Sequence, residues 1–426
     1  MKAAALRLYG LGWRLAMPFL ARNPRLQEGF GQRILKDWRP GGADLWIQGA
    51  SAGESYLAVQ LLSRLGAEGP PRVLATTNTR QGMEILEGFA GASPGDGDRV
   101  PVSTAYFPFD HPAVMDRAVH AVSPKAVVLL ESEIWPGLLY ALKRRGRAVL
   151  IVNGRMTERS LKRYRIWPAI WRSLAPDRVL AISRSDADRF SQLFGADRVS
   201  VMDNMKFDRV AVPAAGGASR AASAIPEGAP FAVLGSVRRE EEGPAAEIVG
   251  RLLRDCPRAV IGLFPRHMER VRDWQAVLDR MGVPWRLRSA TRNPVRPGTV
   301  LLWDVFGELF AAYERASAAF VGGSLAPLGG QNVLEPLMAG VRPAIGPSWE
   351  NFAWVGREVV DNGLVRVRPD AAGVAATLLE DLTHPADPEA IRHQAMAYVR
   401  RRQGGTDRAR AVIRNYLNHR KRETIP

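Results

Sequence analysis

Short apolar runs alternate with longer amphipathic stretches along the first half of the chain. The apolar runs have the length and composition of buried strands, and they fall at residues 45–47, 73–75, 126–130, 148–152 and 179–182. Three stretches between these runs carry apolar side chains at helical spacing, at residues 56–65, 83–89 and 138–143. Strands that alternate with helices in this way predict a parallel sheet with helices on both faces, a doubly wound α/β domain.

The same alternation resumes after a segment that resembles a linker. Residues 210–230 are rich in Pro, Gly, Ala and Ser and show little apolar periodicity. Apolar runs then return at residues 231–234, 259–263, 300–303 and 318–321. A chain of 426 residues exceeds the size of one hydrophobic core, so we expect two Rossmann-like α/β domains that face each other across a cleft. The expected boundaries are an N-terminal helix at residues 1–20, a first domain at 21–210 and a second at 211–426, with the last helix able to cross back to the first domain.

Basic residues outnumber acidic ones along the chain. The sequence has 59 Lys and Arg against 43 Asp and Glu, a net charge of +16, which predicts affinity for a polyanion, an anionic membrane or phosphorylated substrates. Basic residues cluster between Lys143 and Arg165 and between Arg400 and Arg414, although the second cluster is equally typical of a solvated helix face. They are not interleaved with aromatic residues in a recognised module, so we expect no nucleic-acid partner. The single cysteine, Cys256, provides no disulfide framework and fits a reducing cytoplasm.

The first 20 residues are apolar but carry Arg7 and Arg14. They contain neither a convincing cleavage site nor an unbroken apolar span of the length that crosses a bilayer. We expect a helix that lies in the membrane interface and buries Trp13, Leu15 and Phe19 among the lipids. A helix packed on the surface of the protein itself fits the pattern equally well.

Candidate chemistry in the first domain follows two strands, because open α/β sheets bind ligands beyond the carboxyl ends of their strands. The turn at residues 49–54 leads into a helix, and its small residues, Ser51 and Gly53 among them, keep the backbone open to a substrate. Glu54 could take a proton from an acceptor hydroxyl. The alternative is structural, since Ser51 and Glu54 also have the spacing of a capping box.

Two further acids, Glu131 and Glu133, follow the strand at residues 126–130. They could position a polar acceptor, or they could form ion pairs with Arg155 or with the neighbouring basic cluster. We favour a positioning role, because a buried apolar strand seldom ends in paired acids without a function.

Glycine-rich segments mark the corresponding edge of the second domain. Gly322, Gly323 and Ser324 follow a strand, and a second glycine pair precedes Gln331 and Asn332. Glycines let backbone N–H groups approach a phosphate, and a helix expected to start near Asn332 would add its positive end. Glu335 could accept hydrogen bonds from ribose hydroxyls or could close a capping box with Asn332.

Two more segments complete a predicted nucleotide pocket. Arg266 and His267 follow a strand, and Gly307 and Glu308 lie in a turn before a helix. An arginine is the usual partner of a phosphate oxygen. The chain offers no convincing cluster of histidines and carboxylates for a metal, so we expect a transfer without metal or other cofactor.

These motifs together resemble the 3-deoxy-D-manno-octulosonic acid (Kdo) transferases of glycosyltransferase family 30. The likeness runs through nearly the whole chain and is carried by residues 49–54, 76–79, 106–110, 131–136, 153–160, 204–208, 265–267, 320–324, 346–347 and 351–352. The resemblance implies a GT-B fold, a first domain that binds the acceptor, and a second domain that binds CMP-Kdo. It also implies inversion at the anomeric carbon, a lipid A precursor (lipid IVA) as acceptor in lipopolysaccharide core biosynthesis, and action at the cytoplasmic face of the bacterial inner membrane, whose anionic surface would be a partner.

The resemblance also assigns roles to individual residues. Glu54 matches the general base of the family. The positions that match residues near the CMP moiety are Lys206, Arg266, Gly322, Gly323, Ser324, Asn332 and Glu335. Two departures concern the donor site: the sequence Gly235–Arg238, which contributes Ser236 and Arg238, replaces a Gly-Ser-Thr-His type of sequence, and Gln331 replaces a histidine. Two alternatives therefore remain open. One is a divergent paralogue that uses another sugar nucleotide or acceptor, and the other is a noncatalytic membrane-associated binding protein.

Overall fold

The predicted strands form two separate parallel sheets in the computed structural model, which describes residues 2–66, 69–92, 100–210 and 223–419. The chain divides into a first unit, Met1–Arg209 with Arg402–Pro426, and a second unit, Val210–Arg401. Most of the predicted linker, residues 211–222, lies outside the described residues. The prediction of two parallel α/β domains is confirmed.

Parallel strands that are mostly buried on both faces build the sheet of the first unit. They are β1 (Leu45–Gln48), β2 (Val73–Thr77), β3 (Val102–Tyr106), β4 (Ala126–Leu130), β5 (Ala148–Gly154), β6 (Arg178–Ala181) and β7 (Val199–Val201). Their order is β3-β2-β1-β4-β5-β6-β7. Burial of β1, β2, β4 and β5 on both faces explains their continuous runs of Val, Ile and Leu. Gln48 pairs in register with both Thr76 and Leu129, so the carboxyl ends of three strands share one edge.

Helices flank this sheet. They are α1 (Lys2–Leu20), α2 (Pro24–Gln27), α3 (Phe30–Arg33), α4 (Ala52–Leu65), α5 (Arg80–Gly91), α6 (Pro112–Val122), α7 (Pro136–Arg144), α8 (Glu158–Tyr164), α9 (Pro168–Ser173) and α10 (Arg184–Phe194). Hydroxyl side chains fix several of their starts, because Ser51, Thr79 and Ser183 each accept a hydrogen bond from the first turn of the following helix.

The second unit repeats this plan. Its strands are β8 (Phe231–Val237), β9 (Val260–Pro265), β10 (Trp285–Leu287), β11 (Val300–Leu302), β12 (Ala318–Val321), β13 (Pro343–Ile345) and β14 (Arg366–Val367). They are parallel in the order β10-β11-β9-β8-β12-β13-β14. The helices are α11 (Glu242–Asp255), α12 (Val271–Met281), α13 (Leu309–Arg315), α14 (Leu334–Ala339), α15 (Glu358–Asp361), α16 (Ala371–Thr383) and α17 (Pro388–Arg400).

The last helix, α18 (Gly405–His419), belongs to the first unit. Asp208 accepts hydrogen bonds from the backbone N–H groups of Gly404 and Thr406 at the start of this helix. Apolar side chains of α18, including the fully buried Ile413, join the core that α4 shares with β1 and β4. The segment 402–419 is thus packed with the first unit, in agreement with the expectation that the last helix can cross back to the first domain.

Helix α1 packs along one face and exposes the other. The Tyr9 hydroxyl donates to the Asp110 carboxylate at 2.8 Å, and the ring of Trp13 packs against that of Phe109. Trp13 therefore faces the protein, which corrects the expectation that it is buried among lipids. The exposed apolar residues of α1 are instead Leu8, Leu11, Leu15 and Phe19, at 51–75% exposure. In the part of the chain that the structure describes, no helix has both the length and the apolarity to cross a bilayer.

Candidate active site

Glu54 lies in the first turn of α4, just beyond the carboxyl end of β1. Its carboxylate accepts hydrogen bonds from the Ser51 backbone N–H at 2.7 Å and from the Ser51 hydroxyl at 2.9 Å, and Ser51 caps the helix in return. The capping box that the spacing allowed is therefore present. Gly49 is required beside it, because a Cβ at this position would lie 2.8 Å from the Cβ of Glu54. Gly53 and Ser51 are exposed next to the buried carboxylate.

Glu131 directly follows β4 in a left-handed backbone conformation with φ of 54°. A non-glycine residue in this region is strained, and such strain is frequent at functional sites. Its carboxylate forms an ion pair with the Lys206 ammonium at 2.7 Å. Arg155 meets Glu131 through the backbone, its N–H lying 3.4 Å from the Glu131 carbonyl oxygen. The cationic partner of Glu131 is thus Lys206, not the Arg155 side chain that the sequence offered as an alternative.

Glu133 accepts hydrogen bonds from two neutral donors. The indole N–H of Trp135 donates to its carboxylate at 2.7 Å and the side-chain amide of Gln48 donates at 3.2 Å. Burial, followed by the charge of Glu54, raises the pKa of Glu133 to about 7. Burial and then the charge of Glu131 also raise the pKa of Glu54, against the hydrogen bonds from Ser51. The three acids form one electrostatically coupled group in the first unit, and a base with a raised pKa is suited to proton transfer near neutral pH.

The second unit contains a pocket of about 400 Å³ at the carboxyl ends of its strands. Polar residues predicted for donor binding line it together with apolar side chains, which include Phe264 and Phe310. The predicted residues that it brings together are Ser236, Arg266, Gly307, Gln331, Asn332 and Glu335. A largely apolar pocket with a few convergent polar groups is typical of a small-molecule site.

A β-bulge shapes one wall of this pocket. The register between β8 and β9 shifts between Leu234 and Val237, and Ser236 within this interval has φ of 57°. Bulges that turn a side chain toward a site are common next to active sites. Arg266 follows β9 and is exposed toward solvent, and its positive charge opposes the burial that raises the pKa of Glu335.

The predicted anion cradle at Gly322, Gly323 and Ser324 is corrected by the structure. The carboxylate of Glu241 accepts hydrogen bonds from the backbone N–H groups of Gly323 and Ser324, the latter at 2.8 Å, and from that of Leu325 at 2.7 Å. The Gly322 N–H donates to the Gly235 carbonyl oxygen at 2.8 Å. The turn therefore binds a carboxylate of the protein itself, and these amides are not available to a phosphate.

Other residues predicted for donor binding lie outside this pocket. Glu308 directs its carboxylate to the guanidinium of Arg288 and to the indole N–H of Trp303, each at 2.9 Å. His267 and Arg238 do not line the pocket. Lys206 lies in the first unit, where it pairs with Glu131, and its place near the CMP moiety stays a prediction.

The helix expected to start near Asn332 starts two residues later. It is α14, which has 6 residues and begins at Leu334. The Asn332 side chain accepts a hydrogen bond from the Leu334 N–H at 3.1 Å, two residues along the chain, whereas a capping box would use the N–H of Glu335. The Glu335 carboxylate is thus left to face the pocket.

Two residues of the second unit were missed by sequence reasoning. Glu241 is one, and the run of three acids after β8 is the signal that could have indicated it. Tyr313 is the other: it is 2% exposed and lines the pocket, but its spacing in α13 resembles that of any core residue. No group of three or more His, Cys, Asp or Glu side chains suited to a metal ion occurs among the described ranges.

The chain is similar to proteins of known family and fold. Residues 24–209 match the family described as 3-Deoxy-D-manno-octulosonic-acid transferase (kdotransferase). A 3-deoxy-D-manno-octulosonic acid transferase of Bordetella pertussis is 33% identical over 394 residues, covering 91% of each chain. One of Chlamydophila psittaci is 27% identical over 384 residues, covering 88% of this chain and 86% of that one. A glycosyltransferase from Rickettsia africae matches with a TM-score of 0.58 at 10% identity over 88% of this chain and 98% of that one, and the predicted GT-B fold is confirmed.

Proposed function

Because the chain belongs to the 3-deoxy-D-manno-octulosonic acid (Kdo) transferase family, we propose that it transfers Kdo from CMP-Kdo to a lipid A precursor such as lipid IVA, with inversion at the anomeric carbon. The family assignment makes it a glycosyltransferase. The observation that carries the proposal is the buried Glu54 carboxylate, whose pKa is raised and which lies at the sheet edge beside two further acids.

Glu54 is the proposed general base. As the acceptor hydroxyl oxygen forms its bond to the anomeric carbon, its proton passes to the Glu54 carboxylate. The bond between that carbon and the phosphate oxygen breaks, and its electron pair leaves with CMP. Lys206 and Glu131 form an ion pair beside this base and position the polar end of the acceptor.

The pocket of the second unit is the proposed CMP-Kdo site. Its apolar lining suits the faces of the base and ribose, Glu335 accepts hydrogen bonds from ribose, and Arg266 neutralises the leaving phosphate. Gln331 lies in this pocket, so the replacement of a histidine there favours a second candidate, a paralogue with another sugar nucleotide. Nucleotide release measured with a panel of sugar nucleotides distinguishes the two.

Two surfaces of the first unit support an anionic lipid acceptor. A groove of about 610 Å³ beside α8 is lined by Arg159, Lys162, Arg163 and Ile166 with one acid. Ile166 and the following Trp167 are more than half exposed. Basic side chains next to exposed apolar ones suit a lipid that carries phosphates above acyl chains. The exposed apolar stripe of α1 with Arg7 and Arg14 suits the cytoplasmic, anionic surface of the inner membrane.

The test is the Glu54→Gln variant incubated with CMP-Kdo and lipid IVA. Glutamine still closes a capping box, so we expect the fold and CMP affinity to persist while transfer falls by a factor of about 100 or more. Mass spectrometry of the lipid and release of CMP measure the reaction.

Ser51→Ala is the matched control, because it removes the cap and leaves the base. It should lower stability by about 1 kcal/mol and reduce transfer far less than Glu54→Gln. Wild-type transfer by Glu54→Gln would refute the assigned base. Donor binding by the wild-type protein without any transfer would favour a noncatalytic binder.

A further inference from the structure

Tyr313 is a buried polar residue in the donor pocket that has no role in the reaction proposed above. It lies in the last turn of α13 and is 2% exposed, yet it lines the pocket. Its hydroxyl lies against Gly235 at the end of β8, because a Cβ built on Gly235 would come within 2.0 Å of the hydroxyl oxygen. The glycine leaves room for a hydroxyl at this position, where a larger residue would displace it.

The hydroxyl has no hydrogen-bond partner in the protein, as far as residues 2–66, 69–92, 100–210 and 223–419 are concerned. Glu335 is the nearby charged group that acts on it, since after burial the charge of Glu335 raises the pKa of Tyr313. The hydroxyl belongs to a residue that lines the pocket, so a ligand there can reach it. Phenylalanine would fill the same space without a polar atom, so the hydroxyl is available to hydrogen-bond a ligand.

We propose that Tyr313 is a specificity-determining residue whose hydroxyl hydrogen-bonds a ribose hydroxyl of the donor nucleotide beside Glu335. The inference rests on the proposed function, because it takes this pocket to be the nucleotide site. A ribose hydroxyl is both donor and acceptor, so it can donate to the Glu335 carboxylate and accept from Tyr313. A site that holds polar groups for a hydroxyl discriminates against an analogue that lacks it, because those groups are then left unpaired.

Tyr313→Phe and Tyr398→Phe form a matched pair of variants. Tyr398 is a buried tyrosine of the same unit whose hydroxyl donates to the Val355 carbonyl oxygen at 2.7 Å. Calorimetric titration of each full-length protein with CMP, 2′-deoxy-CMP and 3′-deoxy-CMP is combined with Tm measurements. Tyr313→Phe should bind CMP about 3- to 10-fold more weakly without a lower Tm, and its preference for CMP over one deoxynucleotide should shrink by the same factor. Tyr398→Phe should have a lower Tm and an unchanged CMP affinity.

The outcomes separate this inference from the proposed function. CMP binding by Tyr313→Phe that equals that of the wild-type protein would overturn the role of Tyr313 and leave the donor assignment intact. An equal loss of affinity for CMP and both deoxynucleotides would contradict the ribose contact. If the wild-type protein bound none of the three nucleotides, the donor assignment would fall and the inference with it.

Discussion

Glu241 shows how a single buried carboxylate determines what a glycine turn can bind. Its side chain is completely buried, and three consecutive N–H groups after β12 donate to it. Buried carboxylates are tolerated where hydrogen bonds satisfy them in this way. Because the turn already holds a negative charge, the positive charge for a donor phosphate must come from side chains. Arg266, which is exposed at the pocket, is the described arginine suited to that task.

The coupled acids of the first unit predict a defined pH dependence. Glu54 must be ionised to accept a proton, and its pKa is raised, so activity should fall as the pH drops through that raised pKa. Burial is the main cause of the raised pKa of Glu54, and the negative charge of Glu131 is the next; Glu131→Gln removes that charge. The acid limb of kcat/KM against pH should therefore move to lower pH in this variant.

Glu133→Gln is the control for this profile. With a pKa of about 7, Glu133 is mostly protonated over the acid limb, and a neutral amide replaces a neutral acid. The limb should therefore keep its position in this variant. An acid limb that stays in place in Glu131→Gln, or that moves only in Glu133→Gln, would contradict the assigned coupling.

At the scale of elements, the sequence predicts the buried strands well and the edge strands poorly. The central strands β1, β2, β4 and β5 lie where their apolar runs indicate. The edge strands β10 and β14 have only 3 and 2 residues, and incomplete burial gives them no continuous apolar pattern. The start of α4 could be predicted because its cap is local in sequence. The contact between Glu241 and Gly323 could not, because 82 residues separate them.

Helix α1 provides a prediction about membrane association. Its exposed stripe of Leu8, Leu11, Leu15 and Phe19 lies opposite the face that Tyr9 and Trp13 fix to the protein. The double variant Leu15→Ser and Phe19→Ser should weaken binding to vesicles containing anionic lipids by a factor of about 100 or more, since each large apolar side chain contributes about 1.5–3 kcal/mol when fully buried and about 1.4 kcal/mol is tenfold. Co-sedimentation with the vesicles measures the change.

Val201→Ser is the matched control for the α1 variant. Val201 is an exposed apolar residue of the first unit that lies on β7 and not on α1. This variant should bind vesicles as the wild-type protein does, with the same decrease at high salt. Equal binding by the α1 double variant and the wild-type protein would remove α1 from the membrane surface.

At the scale of the whole molecule, the C-terminal helix packs with the unit that begins the chain and not with the unit that directly precedes it in sequence. Helices α17 and α18 are consecutive, but α17 belongs to the second unit and α18 to the first. Asp208 caps the start of α18 from the segment that ends the first half of the chain. The segment 402–419 therefore completes the core around α4, and the first unit includes residues from both halves of the sequence.

This division predicts separate effects for two similar core substitutions. Ile413 on α18 is fully buried and Ile391 on α17 is 6% exposed. Ile413→Ala should destabilise the first unit by about 2–5 kcal/mol and speed hydrogen exchange in β1 and β4, while CMP affinity stays unchanged. Ile391→Ala should instead speed exchange in the second unit, in α14, against which α17 packs and which carries Glu335, and weaken CMP binding. Exchange followed by mass spectrometry on the full-length variants measures both. If Ile413→Ala sped exchange only in the second unit, α18 would stabilise the second unit and not the first. That result would contradict the assignment of α18 to the first unit.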